Sequence, residues 1–150
     1  MSVGQTEMAP LRWSPCAGPL ALVWAGMVLG VSFLATPAKF LAPSLPHPVA
    51  LDVGRHTFRT FGRVEAALAA LLELRAAGSK SRRLFALAPG LVVLAQTLWL
   101  RPRLDARTRQ VIAGKELPPA DLHLAYVASE AIKLAALLAL GLTASRSRAR

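Results

Sequence analysis

Long stretches of this chain carry no charged side chain. Residues 13–38 and 84–100 contain neither an acid nor a base, and residues 122–145 contain only Glu130 and Lys133 as full charges. Each stretch is close to the roughly 20 residues that an α-helix needs to cross the hydrocarbon core of a bilayer, which is about 30 Å thick. The sequence therefore predicts an integral membrane protein.

The composition favours helices over a transmembrane β-barrel. Of the 150 residues, 54% are hydrophobic but only 6% are aromatic, and the mean hydropathy is +0.44. Leucine and alanine dominate, and both favour helices, whereas barrel strands need alternating polarity and aromatic girdles. We predict an all-α fold in which a single transmembrane domain forms a four-helix bundle. The alternative is three spans with one interfacial amphipathic helix.

The predicted spans cover about residues 15–40, 57–77, 84–100 and 121–144, with a flexible leader over residues 1–12 and a basic tail over residues 145–150. The second span is the least apolar, and the interfacial alternative concerns that segment. Three prolines between residues 43 and 48, followed by Asp52-Val53-Gly54, are typical of a loop over about residues 41–54.

Two prolines bear on the third span. Pro89 is expected near its first turns, where the missing N–H costs least, and Pro102 is expected to help end it. The basic segment after it, residues 103–116, is predicted to form a separate short surface helix that ends at Gly114.

The formal net charge of +10 comes from basic residues that flank the apolar stretches. This arrangement sets membrane topology and contacts anionic head groups, so anionic lipids are the expected partners and nucleic acid is not. Basic residues are almost evenly divided between the two sides. The short basic turn and the basic tail favour cytoplasmic termini in a bacterial inner membrane.

Other potential sites carry less information. The single cysteine, Cys16, excludes an internal disulfide, no residues have the spacing of a metal site, and no cofactor is indicated. Gly26 and Gly30 lie four residues apart on one helical face, which allows close approach of another helix. We interpret this face as packing within the bundle, with the interface of a homo-oligomer as the alternative.

The fourth span carries the sharpest polar pattern. His123, Tyr126, Glu130 and Lys133 are separated by three, four and three residues, so they share one helical stripe. Ionised groups are costly in contact with lipid, so the stripe is expected to point into the bundle, with Glu130 and Lys133 paired.

Arg55, Arg59 and Arg63 form a second stripe, in which like charges repel unless an anion lies opposite. We expect their partners to be internal carboxylates or a bound anion, and the candidate carboxylates are Glu65, Glu130 and Asp121. In four alternating spans, the polar residues converge in one half of the bilayer. The candidate ligand-binding residues are Arg55, Arg59, Arg63, Glu65, Gln96, Arg107, His123, Tyr126, Glu130 and Lys133.

Three sets of short motifs carry a resemblance to a known group. They are Trp24-Ala25-Gly26 with Thr36-Pro37-Ala38-Lys39-Phe40; Leu100-Arg101-Pro102-Arg103-Leu104-Asp105-Ala106-Arg107; and His123-Leu124-Ala125-Tyr126 with Glu130 and Lys133. The chain resembles small bacterial four-span proteins that are similar to the copper-resistance-D-like group of membrane bundles. The resemblance implies a four-helix inner-membrane fold but no reaction, and the chain lacks a set of copper ligands.

Three functions are compatible with these patterns. The first is a module that binds or transports a small anionic or amphiphilic ligand through a polar pocket in one leaflet. The second is a membrane enzyme acting on a quinone or tetrapyrrole-like substrate, with His123 and Glu130 moving protons. The third is a structural or assembly subunit. A buried salt-bridge network that only fixes helix register remains the alternative to a binding site.

Overall fold

The computed structural model describes residues 16–76, 80–118 and 121–146, and within them it contains four long helices. They are α1, Ala17–Leu41; α2, His47–Arg75; α3, residues 80–112; and α4, Leu122–Arg146. No strand occurs among the described residues, so the predicted all-α class is confirmed. The predicted leader lies outside the described residues, as does the tail beyond Arg146.

Three of the helical segments are long and apolar enough to cross a membrane: Ala17–Leu41, Arg83–Ile112 and Leu122–Arg146. At 1.5 Å per residue each exceeds the roughly 30 Å of a bilayer core. The helix α2 is also long enough, with 29 residues, but it is too polar to meet the same criterion.

The loop predicted over residues 41–54 is present but shorter, covering residues 42–46, because α2 begins at His47. Pro48 lies in the first turn, where its missing N–H has no helical partner to lose. The predicted turn at Asp52-Val53-Gly54 is helical instead. Asp52 pairs with Arg55 one turn later at 2.6 Å, which favours helix there.

The predicted end of the third helix near residue 100 is also wrong. The helix α3 continues through Pro102 to Ile112, so residues 103–112 extend that helix and do not form a separate one. Gly114, with φ of 79°, follows its end. Pro89 is not near the first turns either, because α3 starts at Lys80 and Pro89 lies inside it, fully buried.

A π-helical segment explains how α3 passes Pro102. Residues Gln96–Leu100 form wider π-helical turns directly before Arg101 and Pro102. The widened turn accommodates a proline ring that would otherwise clash with the carbonyl four residues earlier. The same combination occurs in α1, where the π-helix Leu29–Ala35 precedes Pro37.

Small residues bring α1 and α4 together in antiparallel orientation. A Cβ built on Gly18 would lie 3.3 Å from the Cβ of Ala144 and 3.3 Å from the carbonyl oxygen of Gly141. The beginning of α1 therefore meets the end of α4 at close range, as is common between helices in membranes. We call the half of the bundle that contains these ends the terminal half.

The buried residues of the terminal half are apolar. They come from the start of α1, the end of α2, the start of α3 and the end of α4, and they include Ala17, Ala21, Leu72, Ala76, Ala86, Leu137, Leu140 and Ala144. The fully buried polar side chains of the described residues lie near the middle of the helices, at positions 65, 96, 130 and 133. They separate the apolar interior of the terminal half from the other end of the molecule.

Candidate functional site: a buried ion network and a cationic cavity

Five side chains from α2, α3 and α4 form a buried ion network: Glu65, Gln96, Arg101, Glu130 and Lys133. Lys133 is at its centre. Its Nζ donates to Glu65 Oε1, to Glu130 Oε1 at 2.7 Å and to Gln96 Oε1 at 3.0 Å. All three N–H bonds of the ammonium group therefore have partners, as burial of a charge requires.

Arg101 completes the charge balance of this network. Its Nη2 donates to Glu65 Oε2 at 2.5 Å, while Trp24 Nε1 donates to the other oxygen of Glu65 at 3.3 Å. Two carboxylates thus face two cations, so the buried ion network is neutral as a whole. Such compensation is what allows ionised groups to lie inside a membrane bundle.

The two π-helical segments both supply partners to Glu130. Ser32, in the π-helix of α1, donates to Glu130 Oε2 at 2.7 Å. Gln96, the first residue of the π-helix of α3, donates through its Nε2 to Glu130 Oε1 at 2.8 Å and to Ser129 Oγ at 2.7 Å. π-Helical turns often lie at functional sites, and here they aim two polar side chains at one carboxylate.

A cavity of about 530 Å³ lies beside the buried ion network, away from the terminal half. It is enclosed by the end of α1, the first half of α2, the second half of α3 and the first turns of α4. Its basic lining residues are Lys39, Arg55, Arg59, Arg63 and Arg101, and we call it the cationic cavity. Its apolar lining includes Phe40, Leu51, Phe58, Ala66 and Leu104.

One carboxylate, Asp105, forms ion pairs with three arginines at or beside this cavity. Its Oδ1 lies 2.7 Å from Arg55 Nε and 3.7 Å from Arg59 Nη2, and its Oδ2 lies 3.1 Å from Arg109 Nη2. No acidic side chain of the described residues forms an ion pair with Lys39 or Arg63. The cationic cavity therefore carries an excess of positive charge.

Glycines make room for two of these cations. A Cβ on Gly54 would lie 2.2 Å from Lys39 Nζ, and a Cβ on Gly62 would lie 1.7 Å from Arg101 Nη1. The ammonium group of Lys39 and the guanidinium group of Arg101 thus both rest against bare backbone of α2. These contacts place the two charges at the cavity wall.

The structure divides the predicted site residues into two groups. The buried ion network contains Glu65, Gln96, Glu130 and Lys133, and the lining of the cationic cavity contains Arg55, Arg59, Arg63, His123 and Tyr126. Arg107 belongs to neither group, because its Nη2 donates to the carbonyl oxygen of Pro118. The predicted pair of Glu130 and Lys133 is present at 2.7 Å.

An internal carboxylate faces the arginine stripe, as expected, but it is none of the three candidates. Arg55 and Arg59 face Asp105, whereas Glu65 pairs with Arg101 and Lys133, and Glu130 pairs with Lys133. The reason is that α3 continues as a helix past Pro102 and carries Asp105 alongside α2. Asp121, the third candidate, is exposed and makes no ion pair with the described residues.

The predicted site residues do not include Trp24, Ser32, Lys39, Arg101 and Asp105, which the structure adds to the site. Arg101 flanks an apolar stretch in the sequence, as the other basic residues do, and its reach into the bundle depends on Gly62 in another helix. The packing role predicted for Gly26 and Gly30 is also wrong, because a Cβ on either would meet nothing within 4 Å. The alternative, an interface between copies of the chain, stays a prediction.

Comparison with protein-family models, with curated proteins and with solved structures finds no match for this chain.

Proposed function

We propose that this protein is a four-span membrane protein that binds an anionic amphiphile from one leaflet in the cationic cavity. The single observation that carries the proposal is the excess of positive charge in a partly apolar cavity at one end of a bundle of apolar helices. Such a cavity matches a molecule with an acidic head and an apolar tail.

The buried ion network supports α2 as the fourth span. Glu65 lies near the middle of α2 and is fully buried, with partners on α1, α3 and α4. An interfacial helix would lie across the bundle and turn its polar face to water. A carboxylate enclosed by three apolar helices instead favours α2 running parallel to them through the bilayer.

The charges of the cavity support an anionic ligand. Five basic side chains line it, and three carboxylates lie within ion-pair distance of them. Asp105 pairs with Arg55 and Arg59, Asp52 pairs with Arg55, and the network residue Glu65 pairs with Arg101. Lys39 and Arg63 in particular have no carboxylate partner among the described residues. Uncompensated charges in a concave, partly apolar site concentrate ions of the opposite sign.

Trp99 and Arg103 support an opening at the depth of the lipid head groups. Trp99 is half-exposed, and the Arg103 guanidinium lies over its ring at 4.5 Å from the centroid. Tryptophan and arginine in this arrangement are typical of the interface between hydrocarbon and water. The neighbouring residues Thr97, Arg101 and Leu104 line the cationic cavity, so a lipid would meet it at head-group level.

The apolar packing of the terminal half supports binding over passage across the membrane. Beyond the buried ion network the fully buried side chains of the described residues are apolar, and Glu73, whose Oε1 is buried there, is a partly exposed residue. Transport would need a second conformation that opens this half. We place the protein in the bacterial inner membrane with cytoplasmic termini.

The test compares anionic and zwitterionic lipids bound to the purified protein. The protein in mild detergent is titrated with phosphatidylglycerol or phosphatidylcholine, and bound lipid is counted by native mass spectrometry. The Arg59→Gln/Arg63→Gln variant is expected to lose about thirtyfold in affinity for the anionic lipid, since each basic residue near a membrane surface contributes about 1 kcal/mol.

The matched control removes two positive charges outside the cavity. Arg107 and Lys115 lie on the same end of the molecule and do not line the cavity, so the Arg107→Gln/Lys115→Gln variant should bind nearly as well as the wild type. Equal losses in both variants would show a diffuse surface attraction and would contradict the proposal.

A further inference from the structure

Two buried polar atoms at the cationic cavity have no hydrogen-bond partner among the described residues. They are the Nε of Arg101 and the hydroxyl oxygen of Tyr126. Both residues line the cavity, and Tyr126 is only 5% exposed. The Tyr126 hydroxyl lies close to the Arg101 guanidinium, but neither the hydroxyl nor the Nε has a partner of hydrogen-bond geometry. Buried polar groups are nearly always paired, so two orphans side by side indicate a missing partner.

Both groups are held in place by their neighbours. The Arg101 guanidinium rests against Gly62 and donates through Nη2 to Glu65, which leaves the Nε–H directed elsewhere. The Tyr126 ring meets the Phe58 ring edge to face, with centroids 5.1 Å apart and planes at 70°. The two donors therefore form a preorganised pair at the cavity wall next to the buried ion network.

The chemistry of the donors restricts the atom that they bind. The Nε–H of arginine can only donate, so its partner is an acceptor, and the tyrosine hydroxyl can donate to the same atom. The buried ion network beneath them is already neutral, with two carboxylates facing two cations. A further full negative charge there would lack compensation, so a neutral carbonyl oxygen fits this position better than an oxyanion.

The positive charge excess lies in another part of the cavity. Arg59 and Arg63 are exposed and Lys39 is partly buried, whereas the Arg101 side chain is only 15% exposed and Tyr126 only 5%. They form an outer ring suited to a negatively charged group, while Phe40, Leu51 and Leu104 provide apolar lining. The cavity thus combines an outer site for an anion with an inner site for a neutral acceptor.

We propose that the ligand is an anionic glycerophospholipid whose phosphate lies among Lys39, Arg59 and Arg63 and whose acyl ester carbonyl accepts hydrogen bonds from Arg101 and Tyr126. This inference rests on the proposed function and specifies its ligand. In such a lipid the ester carbonyls lie just below the phosphate, so one molecule reaches both sites. A cavity of about 530 Å³ accommodates the glycerol region and the first carbons of a chain.

The experiment uses two phosphatidylglycerols that differ only at the ester. The diacyl lipid carries the carbonyls, and the diether analogue has the same phosphate and chains without them. Binding of each to the wild-type protein is measured by native mass spectrometry titration. We expect the diacyl lipid to bind about thirtyfold more tightly, which corresponds to the usual net contribution of about 1 kcal/mol for each of its two hydrogen bonds.

The Tyr126→Phe variant tests the assignment to this hydroxyl. It keeps the ring against Phe58 and removes only the donor, so the preference for the diacyl lipid should shrink while the preference for phosphatidylglycerol over phosphatidylcholine remains. A competition with inorganic phosphate separates a lipid site from a free-anion site, because free phosphate is expected to displace the lipid only weakly.

The outcomes distinguish this inference from the proposed function. Equal affinity of wild type for diacyl and diether lipids would overturn the ester contact and leave anionic binding intact. A preference that is unchanged in Tyr126→Phe would also overturn it, as would full displacement by phosphate alone. The absence of any preference for phosphatidylglycerol over phosphatidylcholine would overturn the proposed function itself.

Discussion

Gly62 lies directly against the guanidinium group of Arg101. A Cβ at position 62 would lie 1.7 Å from Nη1 and 2.8 Å from Cζ of that arginine. Glu65, the residue that Arg101 binds, follows Gly62 by less than one helical turn on α2. The missing side chain at position 62 is therefore what lets a residue of α3 reach a carboxylate of α2 inside the bundle.

Gly62→Ala is expected to displace Arg101 from Glu65. The methyl group cannot share the space of the guanidinium, so the arginine must move, while Glu65 keeps Lys133 and Trp24 as partners. Loss of one hydrogen bond to a charged group lowers the free energy of unfolding by about 2 kcal/mol. Unfolding by sodium dodecyl sulfate in mixed micelles measures it.

Gly90→Ala is the matched control for that variant. It is also a glycine inside a helix, but its Cβ would lie 3.7 Å from the nearest atom, the Cβ of Ala69, which is an ordinary contact. Its stability should stay the same or rise by up to about 1 kcal/mol, because alanine favours helices. If Gly62→Ala were as stable as Gly90→Ala, the close approach of the Arg101 guanidinium to Gly62 would be contradicted.

Removal of Lys133 alone should lower the free energy of unfolding more than removal of a neutral ion pair does. Lys133→Leu leaves Glu65 and Glu130 with only Arg101 as a balancing cation. Removing one partner of a buried ion pair lowers the free energy of unfolding by about 3–5 kcal/mol, because the other charge stays buried without compensation. The same micelle titration measures this loss.

The double variant Glu130→Leu/Lys133→Leu removes one negative and one positive charge together. The remaining Glu65 and Arg101 still form a neutral pair, with Trp24 donating to the carboxylate. Replacement of a buried pair by apolar residues is often tolerated. The double variant should therefore be more stable than Lys133→Leu, and a lower stability would contradict the division of the network into two neutral pairs.

Asp105→Asn should strengthen the binding of anionic lipid. Asp105 partly neutralises Arg55, Arg59 and Arg109, so its removal increases the positive charge at the cavity. We expect about a fivefold gain in affinity for phosphatidylglycerol. This gain should become smaller as salt is added, because partly exposed charges are screened. An unchanged or weaker affinity would show that the arginines act on structure and not on a ligand.

The sequence predicts much of this fold because charge-free stretches and helical spacing are local signals. Three members of the predicted stripe, Tyr126, Glu130 and Lys133, are buried as their spacing on one helix indicates, whereas the first member, His123, is exposed. The pairing of Glu130 with Lys133 is likewise a contact within α4.

The remaining features depend on contacts between helices, which no local pattern records. Arg101 reaches Glu65 only because Gly62 is on the facing helix, and Asp105 meets Arg55 only because α3 passes Pro102. The π-helical turns that make this passage feasible have no sequence signature beyond the proline that follows them.

The central claim is that α2 crosses the membrane with the other three helices, so that the cationic cavity faces a single leaflet. Labelling with a membrane-impermeant maleimide on right-side-out and inverted vesicles tests it most directly. The probes are native Cys16, which is exposed at the start of α1, and, in a Cys16→Ser background, Arg146→Cys and Arg109→Cys. The account predicts that positions 16 and 146 react from the same side and position 109 from the opposite side. Labelling of positions 16 and 146 from opposite sides would leave an odd number of spans and contradict it.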